Sequence, residues 1–123
     1  MDFKIELVPL NVSDIDASVE FYGTKVGWNV DHDQTPFEGL RFVQVTPPGS
    51  ACSFCFGLGL DMLDEVVRQH LQIVVEDADA AHAYLTERDV TCTEVEDLAW
   101  GRFVHFEDPD GNKWSLQQPV YPS

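Results

Sequence analysis

Two stretches of this chain follow the same plan: residues 4–14 read KIELVPLNVSD, and residues 70–77 read HLQIVVED. Each is an apolar run typical of a β-strand, and each ends on an acidic residue that can cap a helix. A helical apolar stripe follows the first stretch at Ile15, Val19, Phe21 and Tyr22, ending at Gly23 or Gly27. The second is followed by the alanine-rich residues 78–85, which have high helix propensity. An offset of about 63 residues relates the two copies, so the chain is predicted to repeat one strand–helix unit.

Three further strand-like runs follow each predicted helix. They cover residues 28–33, 40–46 and 51–56 in the first half, and 91–96, 101–107 and 113–118 in the second. Breaks fall at Pro36, Gly39 and 47–49, near 98–99, and at the Asp-Pro-Asp-Gly turn of residues 108–111. The sequence therefore predicts an α+β domain over residues 1–123, built of two tandem βαβββ modules at about 1–56 and 70–118. Residues 57–69 join them, and a short helical turn is predicted there.

The charge balance limits the classes of partner. Asp and Glu number 22 against 7 Lys and Arg, so the net charge is −15. Such a surface repels phosphate backbones and anionic lipid headgroups, and no run approaches the roughly 20 apolar residues of a membrane span. We therefore expect neither a nucleic-acid nor a membrane partner. The N-terminus alternates charged and apolar residues, unlike a signal peptide.

Three cysteines, Cys52, Cys55 and Cys92, are an odd number. Cys52 and Cys55 lie in a strand-like run, where residues three apart point to opposite faces of the sheet. A shared metal, a disulfide or a thioredoxin-like motif is therefore not expected from this pair. These features favour a reducing, cytoplasmic location.

The double βαβββ plan resembles the vicinal oxygen chelate superfamily, the glyoxalase, bleomycin-resistance and extradiol dioxygenase group. The local sequences that carry the resemblance are Val12-Ser13-Asp14, Phe21-Tyr22, Lys25-Val26-Gly27-Trp28, and Phe106 to Asn112 followed by Trp114. The resemblance covers roughly residues 4–118. It implies curved half-barrel sheets with the helices packed outside, and it leaves the function open because this fold hosts enzymes and binding proteins alike.

The resemblance also implies where a metal would bind in the metal-dependent members. Their ligands, usually His, Glu or Gln, lie on the concave face of the first and last strand of each module. The matching positions here are Leu7, Cys55, His70 and Ser115, and a shift by two residues gives Pro9, Ser53, Gln72 and Gln117. Neither set contains a carboxylate, and leucine cannot bind a metal. No cofactor is therefore expected, and a divalent metal with atypical ligands is kept as the alternative.

Strand alternation predicts the lining of the concave face. It places these residues there: Ile5, Leu7, Pro9, Asn11, Gln44, Ser53, Cys55, His70, Gln72, Val74, Lys113, Ser115 and Gln117. This predicted face mixes apolar groups with neutral hydrogen-bonding groups and contains no carboxylate, a composition that suits a mostly neutral organic molecule.

Aromatic and histidine side chains complete the predicted site. Phe54, Phe56, Phe106 and Trp114 are expected in the core, whereas Trp28, Phe37, Phe42, Trp100 and Phe103 are candidates for the pocket rim. Among the histidines, His70 and His105 are predicted to reach the cavity, and His32 and His82 to be solvated.

The leading hypothesis is a metal-independent binding protein for a hydrophobic or aromatic small molecule, with antibiotic sequestration as one role. The predicted ligand-binding residues are Leu7, Gln44, Cys55, His70, Gln72, Trp100, Phe103, His105 and Ser115. The resemblance also implies a homodimer. The alternatives are an enzyme, using a metal with unusual ligands or a histidine base, and a regulatory or scaffold protein with a vestigial pocket.

Overall fold

A computed structural model describes residues 1–60 and 68–120 of the chain. The chain divides into two compact units, Met1–Arg68 and Gln69–Ser123. We call these units module one and module two. No helix within the described residues is long and apolar enough to cross a membrane.

The described residues of module one form one mixed four-stranded sheet and one helical segment. Its elements are β1 (Leu7–Pro9), α1 (Ile15–Val19) continuing as a π-helical segment (Glu20–Lys25), β2 (Asn29–Phe37), β3 (Leu40–Thr46) and β4 (Ser53–Leu58). The strand order is β1-β4-β3-β2, with β1 parallel to β4 and the other pairs antiparallel.

Module two has the same topology. Its elements are β5 (His70–Val74), α2 (Ala78–Glu87), β6 (Glu96–Leu98), β7 (Gly101–Glu107) and β8 (Lys113–Pro119). The order β5-β8-β7-β6, with β5 parallel to β8, repeats that of module one. The prediction of two βαβββ modules in an α+β fold is confirmed.

The two helices begin in the same way. Asp14 caps α1 by accepting a hydrogen bond from the backbone N–H of Ala17, and Asp77 caps α2 by accepting from those of Asp79 and Ala80. A carboxylate at this position satisfies N–H groups that the first helical turn leaves without a partner. Helix initiation therefore follows the repeat seen in the sequence.

Each module also has an arginine at the matching position, on the strand next to the edge strand of its sheet. Arg41 on β3 pairs with Asp16, in the first turn of α1, and with Asp33 on β2. Arg102 on β7 pairs with Asp79, in the first turn of α2, and with Asp97 on β6. In each module one guanidinium therefore ties the start of the helix to the edge of the sheet.

The core of module one is aromatic and lies between the sheet and its helical segment. Tyr22 packs edge-on against Phe54 with ring centroids 4.8 Å apart, and Phe56 and Val43 are buried beside it. Trp28 stacks on Tyr22 at 6.0 Å. The expectation that Trp28 lies at a pocket rim is therefore wrong, because its indole completes the cluster beneath the helical segment.

The core of module two is built from the same faces of its strands. Phe106 and Trp114 are buried and stack with centroids 6.3 Å apart. The turn between β7 and β8 is held by Asp108, whose carboxylate accepts hydrogen bonds from the backbone N–H groups of Asp110 and Asn112 and from the Asn112 side chain. Gly111, in that turn, has φ of 86°, a conformation that favours glycine.

Several predicted boundaries differ from the structure. The strand expected over residues 4–12 is limited to β1. Residues 91–96 form an isolated bridge, Cys92 with Phe106, before β6 begins at Glu96. The break predicted at Pro36 does not end β2. The strand continues to Phe37, and its register shifts after Gln34. The helical turn expected within residues 57–69 falls largely on 61–67, which lie outside the described residues.

Candidate functional site

The face of the module two sheet opposite α2 brings together most of the residues predicted to bind a ligand. Strand register places His105, Ser115 and Gln72 side by side on β7, β8 and β5, and Phe103 and Gln117 lie one step along. Side chains that alternate with them, including Val104, Phe106 and Trp114, fill the core. We call the face opposite α2 the inner face. Because side chains point alternately to the two sides of a strand, inner-face residues and core residues alternate along each strand.

Ser115 connects two histidines on this inner face. Its Oγ lies 2.6 Å from Nε2 of His70 and 2.7 Å from Nδ1 of His105. Ser115 is buried, whereas His70 is exposed and His105 is half-buried. The hydroxyl therefore meets its hydrogen-bonding needs within the protein, and each imidazole keeps its second ring nitrogen for another partner.

The surroundings of His105 keep its imidazole neutral. Burial lowers the pKa of His105, and the positive charge of Lys113 lowers it further. Glu96 raises this pKa, and His70 lowers it. The ring also stacks on Phe103, with centroids 5.9 Å apart and planes inclined by 13°. A neutral, oriented imidazole can both donate and accept a hydrogen bond.

A second polar chain runs beside the histidines toward the hairpin of β6 and β7. The Gln72 amide donates to Oε1 of Gln117 at 2.6 Å, and the Gln117 amide donates to the carbonyl of Trp100 at 3.0 Å. Trp100 itself is 63 % exposed. Gln117 therefore holds the backbone that presents an exposed indole at the end of this sheet.

A groove in module two includes His105 in its wall. Its volume is about 530 Å³, within the range of small-molecule sites. The lining residues are Thr91, Cys92, Thr93, His105, Phe106, Glu107, Asp108 and Lys113. Residues 91–93 run beside β7 and are held there by hydrogen bonds between Thr93 and His105.

Sequence reasoning did not identify Thr91–Thr93 as part of a pocket. These residues were expected to form a regular strand, and their composition gives no sign that they wall a groove. Pairing with β7 positions them, and that long-range contact leaves no local signal.

The corresponding face of module one carries the other three predicted residues. Leu7 and Cys55 lie on the adjacent strands β1 and β4, and Gln44 on β3 is paired with Cys55. Cys55 is 0 % exposed, and burial raises the pKa of its thiol. The thiol is therefore protonated at neutral pH and is shielded from solvent.

A carboxylate lies on this face of module one, contrary to the expectation from strand alternation. Asp31 accepts hydrogen bonds from the side chains of Thr46 and Gln44, at 3.2 Å for Gln44, and from Asn29. These hydrogen bonds, above all that from Thr46, lower the pKa of Asp31, so the group is ionised. Asn29 is paired with Thr46, so Asp31, two residues further along β2, lies on the same face, next to the shift of register between Val30 and His32.

The residues at the family's metal positions do not suit a divalent ion. In module one, Leu7 has no donor atom and Cys55 is a buried thiol. In module two, Nε2 of His70 is engaged with Ser115, a neutral hydroxyl. Within the described residues, no three His, Cys, Asp or Glu side chains are grouped as metal ligands. A divalent ion normally requires anionic or several neutral donors, so no step is assigned to a metal.

The nine predicted residues thus fall into two groups. His70, Gln72, Trp100, Phe103, His105 and Ser115 lie along the inner face of module two or at its edge, and Leu7, Gln44 and Cys55 lie together on that of module one. Their role in binding stays a prediction.

Comparisons with known proteins agree with this fold. A model of the Glyoxalase/Bleomycin resistance protein/Dioxygenase superfamily matches residues 4–116. The crystal structure of TnmS3, an antibiotic binding protein from Streptomyces sp. CB03234, has 32% sequence identity and a TM-score of 0.82, covering 97% of this chain and 98% of that one. A member of the same superfamily from Sphaerobacter thermophilus DSM 20745 has 32% identity and a TM-score of 0.74, with 94% and 97% covered.

A third solved structure, that of UcmS2, has 26% identity and a TM-score of 0.80, covering 96% of this chain and 99% of that one. Among curated proteins, none matches the chain.

Proposed function

This chain belongs to the Glyoxalase/Bleomycin resistance protein/Dioxygenase superfamily, and from this membership we propose that it binds a small molecule without a metal. The ligand is a mostly neutral, hydrophobic or aromatic compound, and antibiotic sequestration is the role we favour. The observation that carries the proposal is the hydrogen bonding of His70 and His105 to Ser115, where metal-dependent relatives would need metal ligands.

The inner face of module two has the chemistry that such a ligand requires. Its central positions are imidazole, hydroxyl and amide groups, and the buried Phe103 stacks on His105. Small-molecule sites combine apolar walls with a few fixed polar groups that orient the ligand. Three charged side chains border these positions: Lys113 and Glu107 are paired opposite one another at one end of the sheet, and Glu96 on β6 is paired with Phe103.

The relatives support a binding role. TnmS3 is an antibiotic binding protein, and its similarity extends over nearly the whole of both chains. We propose the same class of activity here, with the compound recognised by the imidazoles and amides of module two.

A thermal-shift screen with a chelator present throughout tests this function. Chloramphenicol, novobiocin and daunorubicin represent aromatic antibiotics of differing charge, and bleomycin represents a cationic one. A compound at a hundred times its dissociation constant stabilises the folded state by about 2.7 kcal/mol. We expect at least one aromatic compound to raise the unfolding midpoint in chelator and to lose that effect in His70→Ala and Gln72→Ala.

His32→Ala is the matched control, because His32 is an exposed histidine of module one. It should leave the midpoint shift unchanged. If every midpoint shift required added Zn²⁺, Ni²⁺, Mn²⁺ or Fe²⁺, the proposal of metal-independent binding would be refuted.

A second candidate function, metal-free catalysis, rests on His105. Burial and Lys113 keep its imidazole neutral, which is the form that accepts a proton. Conversion of a bound compound to a product of different mass, lost in His105→Gln while binding is retained, would favour an enzyme over a binding protein.

We also propose that the protein acts as a homodimer, as the family resemblance implies. Apolar side chains near the N-terminus, Phe3 and Ile5, are 90% and 75% exposed, which is consistent with a surface that a second copy covers.

A further inference from the structure

The His70–Ser115–His105 chain carries an inference about ligand selection that rests on the proposed binding function. Ser115 Oγ bears one proton and lies within hydrogen-bonding distance of one nitrogen of each ring, 2.6 Å from His70 and 2.7 Å from His105. A hydroxyl between two neutral imidazoles has to donate to one and accept from the other. Only two arrangements of the protons satisfy both hydrogen bonds.

In the first arrangement His70 donates from Nε2 to Ser115, and Ser115 donates to Nδ1 of His105. The outer nitrogens are then an acceptor, Nδ1 of His70, and a donor, Nε2–H of His105. In the second arrangement His105 donates from Nδ1 to Ser115, and Ser115 donates to Nε2 of His70. The outer nitrogens then exchange roles, and in both arrangements the two rings share one tautomer.

We propose that this chain is a coupled tautomer relay, and that it makes module two selective for ligands offering one hydrogen-bond donor and one acceptor. A phenol or alcohol together with a carbonyl has this chemistry. A compound with acceptors only leaves one of the two outer nitrogens without a matched partner, whichever arrangement the relay adopts. Reversal passes one proton from Nε2 of His70 to Ser115 and one from Ser115 to Nδ1 of His105, while Nε2 of His105 releases a proton to the ligand or solvent and Nδ1 of His70 takes one from it. Either orientation of a donor–acceptor ligand therefore fits without a change of rotamer.

The position of the relay makes its coupling effective. Ser115 is only 2% exposed, so water does not readily replace it as the link between the rings. Phe103 stacks on His105 and limits rotation of that ring. The lowered pKa of His105, caused mainly by burial, keeps this ring in the neutral form that has tautomers at all.

The outer nitrogens are available to a ligand. No hydrogen bond from the described residues engages Nδ1 of His70 or Nε2 of His105, and His70 is exposed on the sheet edge strand β5. Gln72 adds its Oε1 on the same face, because only its amide nitrogen is used by Gln117. A ligand that spans β5 and β7 therefore reaches both outer nitrogens, Nδ1 of His70 and Nε2 of His105.

The tautomers can be measured without any ligand. Long-range ¹H–¹⁵N correlation spectra of histidine-labelled protein, recorded at alkaline pH, report the fraction of each ring that carries its proton on Nδ1. His70→Asn and His105→Asn identify the two signals. We expect His70 and His105 to have equal Nδ1–H fractions in the wild type, whereas the exposed His32 has the Nε2–H preference of free imidazole.

Ser115→Ala removes the link and should make the two fractions unequal, because each ring then follows its own surroundings, solvent for His70 and the stacked Phe103 for His105. Ser53→Ala is the matched control, because Ser53 is a buried strand serine of module one that bonds Thr46 instead. It should leave both fractions unchanged. Different fractions for His70 and His105 in the wild type would overturn the relay, as would equal fractions that persist in Ser115→Ala.

Ligand preference gives a second readout. We expect 4-hydroxyacetophenone, with one donor and one acceptor, to bind the wild type about tenfold more tightly than 1,4-diacetylbenzene, which has acceptors only. In Ser115→Ala each ring chooses its tautomer independently, so the ratio of the two affinities should fall toward one. An unchanged ratio would contradict the inference.

These outcomes are distinct from a failure of the proposed function. Uncorrelated tautomers with metal-free ligand binding would remove the relay and leave the binding role. Coupled tautomers in a protein whose unfolding midpoint rises only with a metal would support the relay and refute metal-independent binding.

Discussion

Ser115 illustrates how a single buried hydroxyl organises the inner face of module two. A buried polar group without a partner destabilises the fold, and Ser115 avoids this penalty by bonding both His70 and His105. The same two bonds fix the orientation of both rings. Strand alternation in the sequence places His70 and Ser115 on one face, and His105 is predicted separately to reach the cavity. The sequence does not reveal the bridge, because the choice of rotamer depends on the packing of Phe103 and the burial of the sheet.

His105 makes the stability of the protein dependent on pH near neutrality. Its pKa is lowered in the folded state, mainly by burial and then by Lys113, so the unfolded chain binds this proton more readily. The contribution is fully present above the ordinary histidine pKa of about 6.5 and is lost as the pH falls toward the lower pKa of the folded state.

We therefore expect the free energy of unfolding, measured in urea, to be smaller at about pH 5.5 than at about pH 7.5. His105→Gln should show a smaller decrease over the same interval, and His32→Gln the same decrease as the wild type. An equal pH dependence in His105→Gln and wild type would show that His105 is not responsible.

At the scale of elements, the sequence predicts most clearly what is encoded locally. β7 has the bounds expected for it, and the capping aspartates and the turn at residues 108–111 are where the repeat places them. The errors arise where long-range pairing decides. The inward position of Asp31 depends on how β2 pairs with β3, Asn29 opposite Thr46, and residues 91–93 depend on β7 for their position. Neither feature has a signature in the hydrophobic pattern.

The cap of α2 tests whether nearby residues in the sequence determine where this helix begins. Asp77→Ala removes the acceptor for the backbone N–H groups of Asp79 and Ala80 and should lower the free energy of unfolding by about 1 kcal/mol. Asp77→Asn retains a side-chain oxygen and should lose much less. Chemical denaturation of the three proteins measures both values, and equal losses in the two variants would indicate that charge, rather than capping, is what Asp77 contributes.

At the scale of the whole molecule, the chain consists of two modules with the same topology and different inner faces. Module one presents Leu7, the buried Cys55 and the ionised Asp31, whereas module two presents the neutral histidine and glutamine chains. The two modules therefore share the capping aspartates and the ion pairs of Arg41 and Arg102, while the residues on their inner faces differ.

The acidic surface should oppose the proposed dimer. Each chain of 13.9 kDa carries a net charge of −15, and salt shortens the range of the resulting repulsion from about 30 Å at 0.01 M to about 8 Å at 0.15 M. We expect sedimentation equilibrium to give a dimer whose dissociation constant decreases as salt is added. A chain that sediments as a monomer at every salt concentration would rule out the homodimer.

The central claim, a binding site that needs no metal, is tested most directly by metal titration of the purified protein. Metal content is measured by elemental analysis after purification without added metal, and the unfolding midpoint is then followed with Zn²⁺, Ni²⁺, Mn²⁺ and Fe²⁺. We predict that no stoichiometric metal is found and that none of the four raises the midpoint. One tightly bound equivalent that stabilises the protein, and that His70→Ala abolishes, would contradict the claim and identify a metalloenzyme instead.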